Sequence, residues 1–176
     1  TGQRVAMAGA GVANHAEINA VPENLLAPIP ENVSTEAASF ATLGAISMHA
    51  VRNLNPSLGE VVAVIGCGLV GQLVSQFLTL SGVRVIALDY DADRLELAQL
   101  LGAEIAFNLT DRSLETSVRE MSAGKGCDGI IIAAATKTNE PFITAAKIAR
   151  DRAKVVMVGL TGTAFPYSEF MKKELN

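Results

Sequence analysis

Residues 61–71 read VVAVIGCGLVG, and this stretch decides the fold. Its first five residues are apolar and mostly β-branched, a composition that predicts a strand buried on both faces. Gly66, Gly68 and Gly71 follow at the spacing GxGxxG, and the apolar segment 69–81 then favours a helix. The stretch therefore predicts a strand, a glycine turn and a helix in direct succession.

The chain continues with the same alternation beyond this unit. The predicted strands are 61–65, 83–88, 105–107, 129–133 and 154–158, and the predicted helices are 69–81, 91–101, 113–121 and 140–149. Strands that alternate with helices over short connections form a parallel, doubly wound α/β sheet with right-handed crossovers. We therefore predict an α/β fold of this type.

The first 30 residues of the chain have a different pattern. Residues 4–8 form a short apolar run, residues 16–21 are a strand candidate, and prolines in 25–30 require extended or turn-like backbone. We assign residues 1–33 to the edge of a β-rich unit and a connector, and residues 34–176 to the α/β domain.

A helix is expected at the start of that second domain. Ser34 is a candidate N-cap and Glu36 lies in the first turn, where its charge complements the helix dipole. The segment that follows is almost wholly apolar, which predicts a buried helix that extends to about Arg52 and is interrupted near Gly44.

The composition excludes several classes of protein. The chain has 176 residues, is 49% hydrophobic, has a net charge of −4 and contains no Trp, so it is neither disordered nor a typical nucleic-acid binder. Two cysteines cannot form a disulfide-rich secreted scaffold. Residues 61–83 carry no charge but include four glycines, and we expect no membrane span there. We expect a cytoplasmic protein.

The glycine motif gains its meaning from its context. Gly66 permits a tight turn, Gly68 lets a pyrophosphate approach the backbone, and Gly71 allows close packing of helix on sheet. The N–H groups at the start of the helix favour phosphate, and Asp89, at the end of the second strand, can accept hydrogen bonds from ribose hydroxyls. We therefore predict a dinucleotide-binding site that includes Leu69 and Val70 at the start of the helix.

The cofactor preference depends on two residues. Asp89 would repel a 2′-phosphate, which favours NAD over NADP. Arg94 could instead accommodate such a phosphate, pair with Asp89, or lie over the adenine ring.

Other candidate sites are weak. Gly9-Ala10-Gly11-Val12-Ala13-Asn14 is interpreted as a turn, because Asn14 replaces the third glycine and no long apolar helix follows. Cys67, Cys127, His15 and His49 show no metal-ligand spacing, so no metal is expected. The catalytic residues remain unknown, since His49 is only a weak candidate for a general base. Lys172-Lys173-Glu174 is expected to be a solvated face.

Taken together, these motifs resemble the medium-chain dehydrogenase/reductase superfamily of zinc-type alcohol and polyol dehydrogenases. The resemblance is carried by residues 59–71, 87–89, 94–98, 101–103, 126–129 and 155–159. Residues 14–17, 40–46 and 173–175 are similar to the bacterial bi-domain oxidoreductase, or bacteriochlorophyllide-dehydrogenase-like, branch.

The resemblance implies a Rossmann cofactor domain preceded by the edge of a GroES-like catalytic domain. It implies that Ala134, Ala135 and Thr136 line the cofactor and that Val158, Gly159 and Leu160 border the nicotinamide. A family zinc ligand is expected within residues 42–45, but Thr, Leu, Gly and Ala stand there, so zinc is doubtful. The family would continue beyond Asn176 into a sixth strand, so we expect a fragment.

The main hypothesis is therefore the NAD(H)-binding part of a dehydrogenase that transfers hydride between the nicotinamide and an alcohol or carbonyl. The full-length protein would act on a small-molecule substrate, the isolated segment would be inactive, and a homo-oligomer is left open. The alternatives are a non-catalytic NAD(H)-sensing regulatory module and a scaffold with a dead nucleotide site.

Overall fold

A computed structural model describes residues 2–162 and 164–176 of the chain. The chain divides into two compact units, Thr1–Ala45 and Ile46–Asn176. This division falls later than the boundary that we expected at residues 33 and 34, and the assignment of residues 1–33 to a catalytic domain stays a prediction.

The first unit contains a two-stranded antiparallel sheet. Strand β1 (Val5–Met7) pairs with β2 (Leu26–Pro28), with Ala6 opposite Ala27. The strand expected at residues 16–21 is wrong, because residues 16–18 are bends and residues 19–21 have no regular secondary structure. The side chain of Asn19 explains the difference: its amide donates to Asn14 O at 3.1 Å and its oxygen accepts from Asn14 N at 3.0 Å, which closes a loop.

The helix predicted after Ser34 begins as expected but breaks earlier. Ser34 Oγ accepts a first-turn backbone N–H at 3.0 Å, which confirms the N-cap. The break lies at Ser39 rather than Gly44, because Ser39 Oγ donates to Glu36 O at 2.6 Å whereas Gly44 N keeps its helical bond to Phe40 O. Helix α1 is Thr35–Ala38 and helix α2 is Ala41–Leu54. The expectation of a buried helix is wrong for most of α2, whose buried residues are Ser47, Ala50, Val51 and Leu54.

The second unit is the predicted parallel α/β sheet. Its elements are β3 (Val61–Ile65), α3 (Leu69–Leu80), β4 (Arg84–Asp89), α4 (Ala92–Leu100), β5 (Ile105–Asn108), α5 (Leu114–Met121), β6 (Cys127–Ile132), α6 (Glu140–Ile148), β7 (Ala149–Met157) and α7 (Tyr167–Lys172). The strand order is β5-β4-β3-β6-β7, and every adjacent pair is parallel. The doubly wound prediction is confirmed.

Side chains of β3 alternate between the two faces of the sheet and enter two separate cores. Val62 and Val64 pack in one core with residues of α2, α3 and α4. Val61, Ala63 and Ile65 pack in the other with residues of α5 and α6. Every residue of β3 is buried, as its β-branched composition predicts.

The C-terminal segment differs from the solvated face expected at residues 172–174. Lys173 is partly buried, and its Nζ donates to Ala146 O at 2.5 Å, Ala149 O at 2.7 Å and Lys147 O at 3.2 Å. A side chain that binds three carbonyls at the end of α6 has a structural role, so this expectation is wrong for Lys173.

Within the described residues, no helix has the length and apolarity needed to traverse a lipid bilayer.

Candidate functional site

A cavity of about 600 Å³ opens at the carboxyl ends of β3, β4 and β6. In an open parallel sheet, ligands bind at this edge, beside the point where the strand order reverses. The sequence-predicted residues that line the cavity are Gly66, Gly68, Leu69, Val70, Asp89, Arg94, Ala134, Ala135 and Thr136. The structure therefore brings residues from three separate chain segments together.

The glycine loop, defined here as residues 66–71, uses each glycine differently. Gly66 has a φ of +95°, and a Cβ there would lie 2.6 Å from Ala134 N. A Cβ at Gly71 would collide with Gly66 O, so this residue holds the helix close to the strand. A Cβ at Gly68 would meet no described heavy atom within 4 Å. Because Gly68 lines the cavity, this open space is where a side chain would compete with a ligand.

Helix α3 directs its N-terminus at the same cavity. Gly68 is the N-cap residue and has no side chain with which to accept the first-turn N–H groups. The next two residues, Leu69 and Val70, line the cavity. The positive end of the helix dipole therefore faces this space and would favour an anionic group.

Asp89 lines the cavity and also binds the glycine loop through its carboxylate. Its Oδ2 accepts from Cys67 N at 2.6 Å, and its Oδ1 accepts from Tyr90 N at 2.7 Å and from Asp91 N at 3.0 Å. Asp89 is only 7% exposed, yet it lines the cavity. This carboxylate therefore holds the glycine loop and presents a negative charge to the ligand space at the same time.

Arg94 stands at the rim of the cavity beside two carboxylates. Its Nη1 lies 3.9 Å from Asp89 Oδ2 and its Nε lies 3.6 Å from Asp91 Oδ2. The side chain is 54% exposed. Of the alternatives left open by the sequence, the structure shows the contact with Asp89.

Four of the predicted site residues do not line the cavity: Gly71, Val158, Gly159 and Leu160. The last three lie beside residues that do. Thr136 N donates to Leu160 O at 2.8 Å, and a Cβ at Gly159 would collide with Ala134 O. The segment 158–160 therefore supports the cavity wall formed by Ala134 and Thr136.

Several lining residues were not predicted from the sequence. They are Ile65, Tyr90, Leu109, Ala133, Thr138, Glu140, Pro141 and Thr144. Tyr90 directly follows β4 and Ala133 directly follows β6, so the rule that ligands bind at strand ends could have identified them. The residues at the start of α6 carry no motif.

The cysteine and histidine side chains do not form a reactive centre. Burial and the neighbouring Asp89 charge raise the pKa of the Cys67 thiol to about 12, and burial and Asp128 raise the pKa of Cys127 to about 12. His49 is exposed and its Nε2 lies 3.0 Å from Asn53 Nδ2. It does not line the cavity. The catalytic residues therefore stay unidentified.

No group of three or more His, Cys, Asp or Glu side chains that could hold a metal ion occurs in the part of the chain that the structure describes. The expectation of a metal-free segment stays a prediction, because other parts of a longer protein can supply ligands for a metal.

The fold and the cavity define a Rossmann-type domain, and residues 70–176 match the sequence model of the zinc-binding dehydrogenase family. The chain belongs to this family, which confirms the resemblance to the medium-chain dehydrogenase/reductase superfamily. The narrower bacterial branch that residues 14–17, 40–46 and 173–175 suggest stays a prediction.

Relatives of known function are similar over part of their length. An erythritol/L-threitol dehydrogenase of Mycolicibacterium smegmatis is 31% identical over 107 residues, which are 60% of this chain and 30% of the relative. An alcohol dehydrogenase of Geobacillus stearothermophilus is 29% identical over 157 residues, which are 89% of this chain and 45% of the relative. The chain thus spans less than half the length of these relatives.

A solved structure supports the same relationship. It is that of an alcohol dehydrogenase of E. coli CFT073 complexed with NADH, with 28% identity and a TM-score of 0.76. The alignment covers 89% of this chain and 46% of that protein.

Proposed function

We propose that this chain is the NAD(H)-binding part of a dehydrogenase that transfers hydride between the nicotinamide and an alcohol or carbonyl. The observation that carries the proposal is the space at Gly68. It opens into the cavity between the N-terminus of α3 and the carboxylate of Asp89. A pyrophosphate and an adenosine ribose need these two neighbours.

The residues fit this cofactor. The cradle at Gly68 has room that any side chain would fill, and the N–H groups at the start of α3 match phosphate oxygens. The Asp89 carboxylate lines the cavity and accepts three backbone N–H groups, which leaves it capacity to accept a further hydrogen bond. The bound nicotinamide would supply the hydride chemistry, and this chain's residues would orient it and its phosphates.

The charges of the cavity favour NAD over NADP. Among the described residues that line the cavity, Asp89 and Glu140 are acidic and Arg94 is basic. Arg94 already contacts Asp89 and Asp91. A 2′-phosphate near Asp89 would meet like charge in a partly desolvated space. Arg94 alone would have to compensate while it remains close to two carboxylates.

We propose that the complete enzyme includes a GroES-like catalytic domain, to which residues 1–33 belong. The two relatives and the solved structure named above are all dehydrogenases, which supports a catalytic role. Nothing in these comparisons supports the alternative of a regulatory NAD(H) sensor. Because substrate-binding groups are expected outside this segment, the 176 residues alone should bind NADH without oxidising alcohols.

The experiment that tests the proposal is a calorimetric titration of the purified chain with NADH and with NADPH. We expect saturable binding of NADH with one site and weaker binding of NADPH. An equal or greater affinity for NADPH would overturn the cofactor preference. Absence of binding to both would favour the scaffold alternative and overturn the proposal.

A further inference from the structure

Gln72 is a buried polar residue on the first turns of α3, between the glycine loop and α4. The residue is 7% exposed. Its Nε2 donates to Cys67 O in the glycine loop at 3.1 Å and to Arg94 O in α4 at 2.8 Å. One side-chain amide thus joins two segments that are distant in sequence and that both line the cavity.

Both the backbone N–H and the backbone carbonyl of Cys67 are hydrogen-bonded to side chains. Asp89 Oδ2 accepts the N–H of Cys67 and the Gln72 amide donates to its carbonyl. Since Cys67 stands between Gly66 and Gly68, these two bonds fix the orientation of the backbone where the pyrophosphate is proposed to lie. Asp89 and Gln72 therefore act on the same residue from the two sides of the loop.

The amide of Gln72 is not explained by stability alone. Its Oε1 is buried and has no hydrogen-bond partner among the described residues. A buried carbonyl oxygen without a partner destabilises the folded state, and an apolar side chain of similar shape would avoid this penalty. What an apolar side chain could not do is hold Cys67 O and Arg94 O at a fixed separation.

We propose that Gln72 is a positioning residue for the dinucleotide: it sets the distance between the glycine loop, which would hold the pyrophosphate, and α4, which would border the adenosine ribose. This inference rests on the proposed function. It assigns Gln72 no contact with the cofactor, since the residue acts through Cys67 and Arg94.

The fold offers a matched control for this assignment. Thr79 lies on the same helix, and its Oγ1 donates to Gly102 O at 3.2 Å, directly after α4. It therefore joins the C-terminal end of α3 to the turn that follows α4, away from the glycine loop. Thr79→Val removes this hydrogen bond with little change of shape, whereas Gln72→Met removes the bonds of Gln72 with little change of length.

The experiment compares the affinities of wild type, Gln72→Met and Thr79→Val for NADH, ADP and adenosine by calorimetry. ADP must span the glycine loop and the ribose site, whereas adenosine occupies the ribose side alone. For Gln72→Met we expect the affinity for ADP and NADH to fall about tenfold, the effect of about one net hydrogen bond, with adenosine affinity unchanged. For Thr79→Val we expect wild-type affinity for all three ligands.

The result that would overturn the inference is wild-type affinity of Gln72→Met for ADP, or an equal loss for ADP and adenosine. The second variant, Gln72→Asn, keeps the amide but is one methylene shorter, so that it cannot reach both carbonyls. Wild-type ADP affinity of Gln72→Asn would overturn the inference in the same way. A wild-type chain that binds neither NADH nor ADP would instead overturn the proposed function itself, which separates the two failures.

Discussion

The carboxylate of Asp89 accepts the backbone N–H of Cys67 at 2.6 Å, and so ties the end of β4 to the middle of the glycine loop. The bond is buried, and the same carboxylate also accepts the N–H groups of the two residues that follow it. A single acidic side chain thus shapes the loop and contributes the charge of the ribose site. Substitutions of Asp89 should therefore change both affinity and cofactor preference.

We expect Asp89→Ala to weaken NADH binding about tenfold or more, because hydrogen bonds to a charged group contribute about 1.5–3 kcal/mol. NADPH binding should weaken far less, since removal of the carboxylate also removes its repulsion of the 2′-phosphate. Fluorescence titration with both cofactors measures the change in preference. Unchanged NADH affinity would exclude Asp89 from the site.

Asp89→Asn is the matched control for this substitution. It keeps one side-chain oxygen that can accept the N–H of Cys67 but has no charge. We expect a loss of preference for NADH over NADPH similar to that of Asp89→Ala, with a smaller loss of NADH affinity. This pattern would separate the role of the charge from the role of the loop contact.

Two glycines of the same loop should respond in opposite ways. Gly68→Val should abolish cofactor binding and leave the fold intact, because a Cβ at Gly68 meets no described atom within 4 Å. Gly71→Ala should instead destabilise the protein by about 1–3 kcal/mol or more, since its Cβ would collide with Gly66 O. Circular dichroism melts and NADH titration distinguish the two outcomes. Cofactor binding by a well-folded Gly68→Val variant would contradict the proposed position of the pyrophosphate.

The parts of the fold that the sequence predicts are those set by local pattern. The β-branched run 61–65, the GxGxxG spacing and the acid at the end of the next strand are short-range signals, and the structure places them as expected. Residues 16–21 show the limit of such signals. Their mixed apolar and polar pattern resembles that of a strand. The Asn19 side chain instead hydrogen-bonds the backbone of Asn14, and a strand would have to give up these bonds.

The candidate site shows the same limit. Gln72 lies one residue beyond the motif, and its role depends on the carbonyl of Arg94. Gln72 Nε2 comes within 2.8 Å of Arg94 O only because α3 and α4 pack together. Lys173 looks like part of a charged surface run, yet it binds carbonyls at the end of α6. Neither contact has a sequence spacing that could reveal it, because each depends on how helices and strands are placed by the whole fold.

Lys173→Met should lower the free energy of unfolding by about 1–3 kcal/mol, because the loss of hydrogen bonds from a charged donor leaves carbonyls at the end of α6 unpaired. The neighbouring Lys172 provides the control. It is 68% exposed and pairs only with Glu169 on its own helix among the contacts described, and such pairs contribute about 0.3–0.5 kcal/mol. Urea denaturation of Lys173→Met and Lys172→Met compares them. Equal stability of the two variants would contradict the structural role of Lys173.

Both cysteines should resist thiol reagents in the folded protein. Burial raises the pKa of Cys67 and Cys127 to about 12, so at pH 8 only about one thiol in 10,000 is ionised, and the thiolate is the reactive form. Because the pKa of these thiols is raised above the ordinary value of 9.0, the stability they contribute is present below pH 9 and is lost as the pH rises toward 12. Reaction with a disulfide reagent at pH 8, with and without denaturant, tests this. Rapid labelling of the folded protein would show that one thiol is accessible.

The last prediction is that the purified chain holds no tightly bound zinc. Cys67 follows the carboxyl end of β3 whereas Cys127 is the first residue of β6, so the two thiols lie at opposite ends of parallel neighbouring strands. His49 contacts Asn53 on its own helix, and no group of three or more candidate ligands converges in the described ranges 2–162 and 164–176. A zinc site needs at least three protein ligands at about 2.0–2.3 Å. Elemental analysis after dialysis should therefore give far less than one equivalent of zinc, and a chelator should leave the melting temperature unchanged. One retained equivalent, together with a lower melting temperature in chelator, would show that this segment contains a metal site after all.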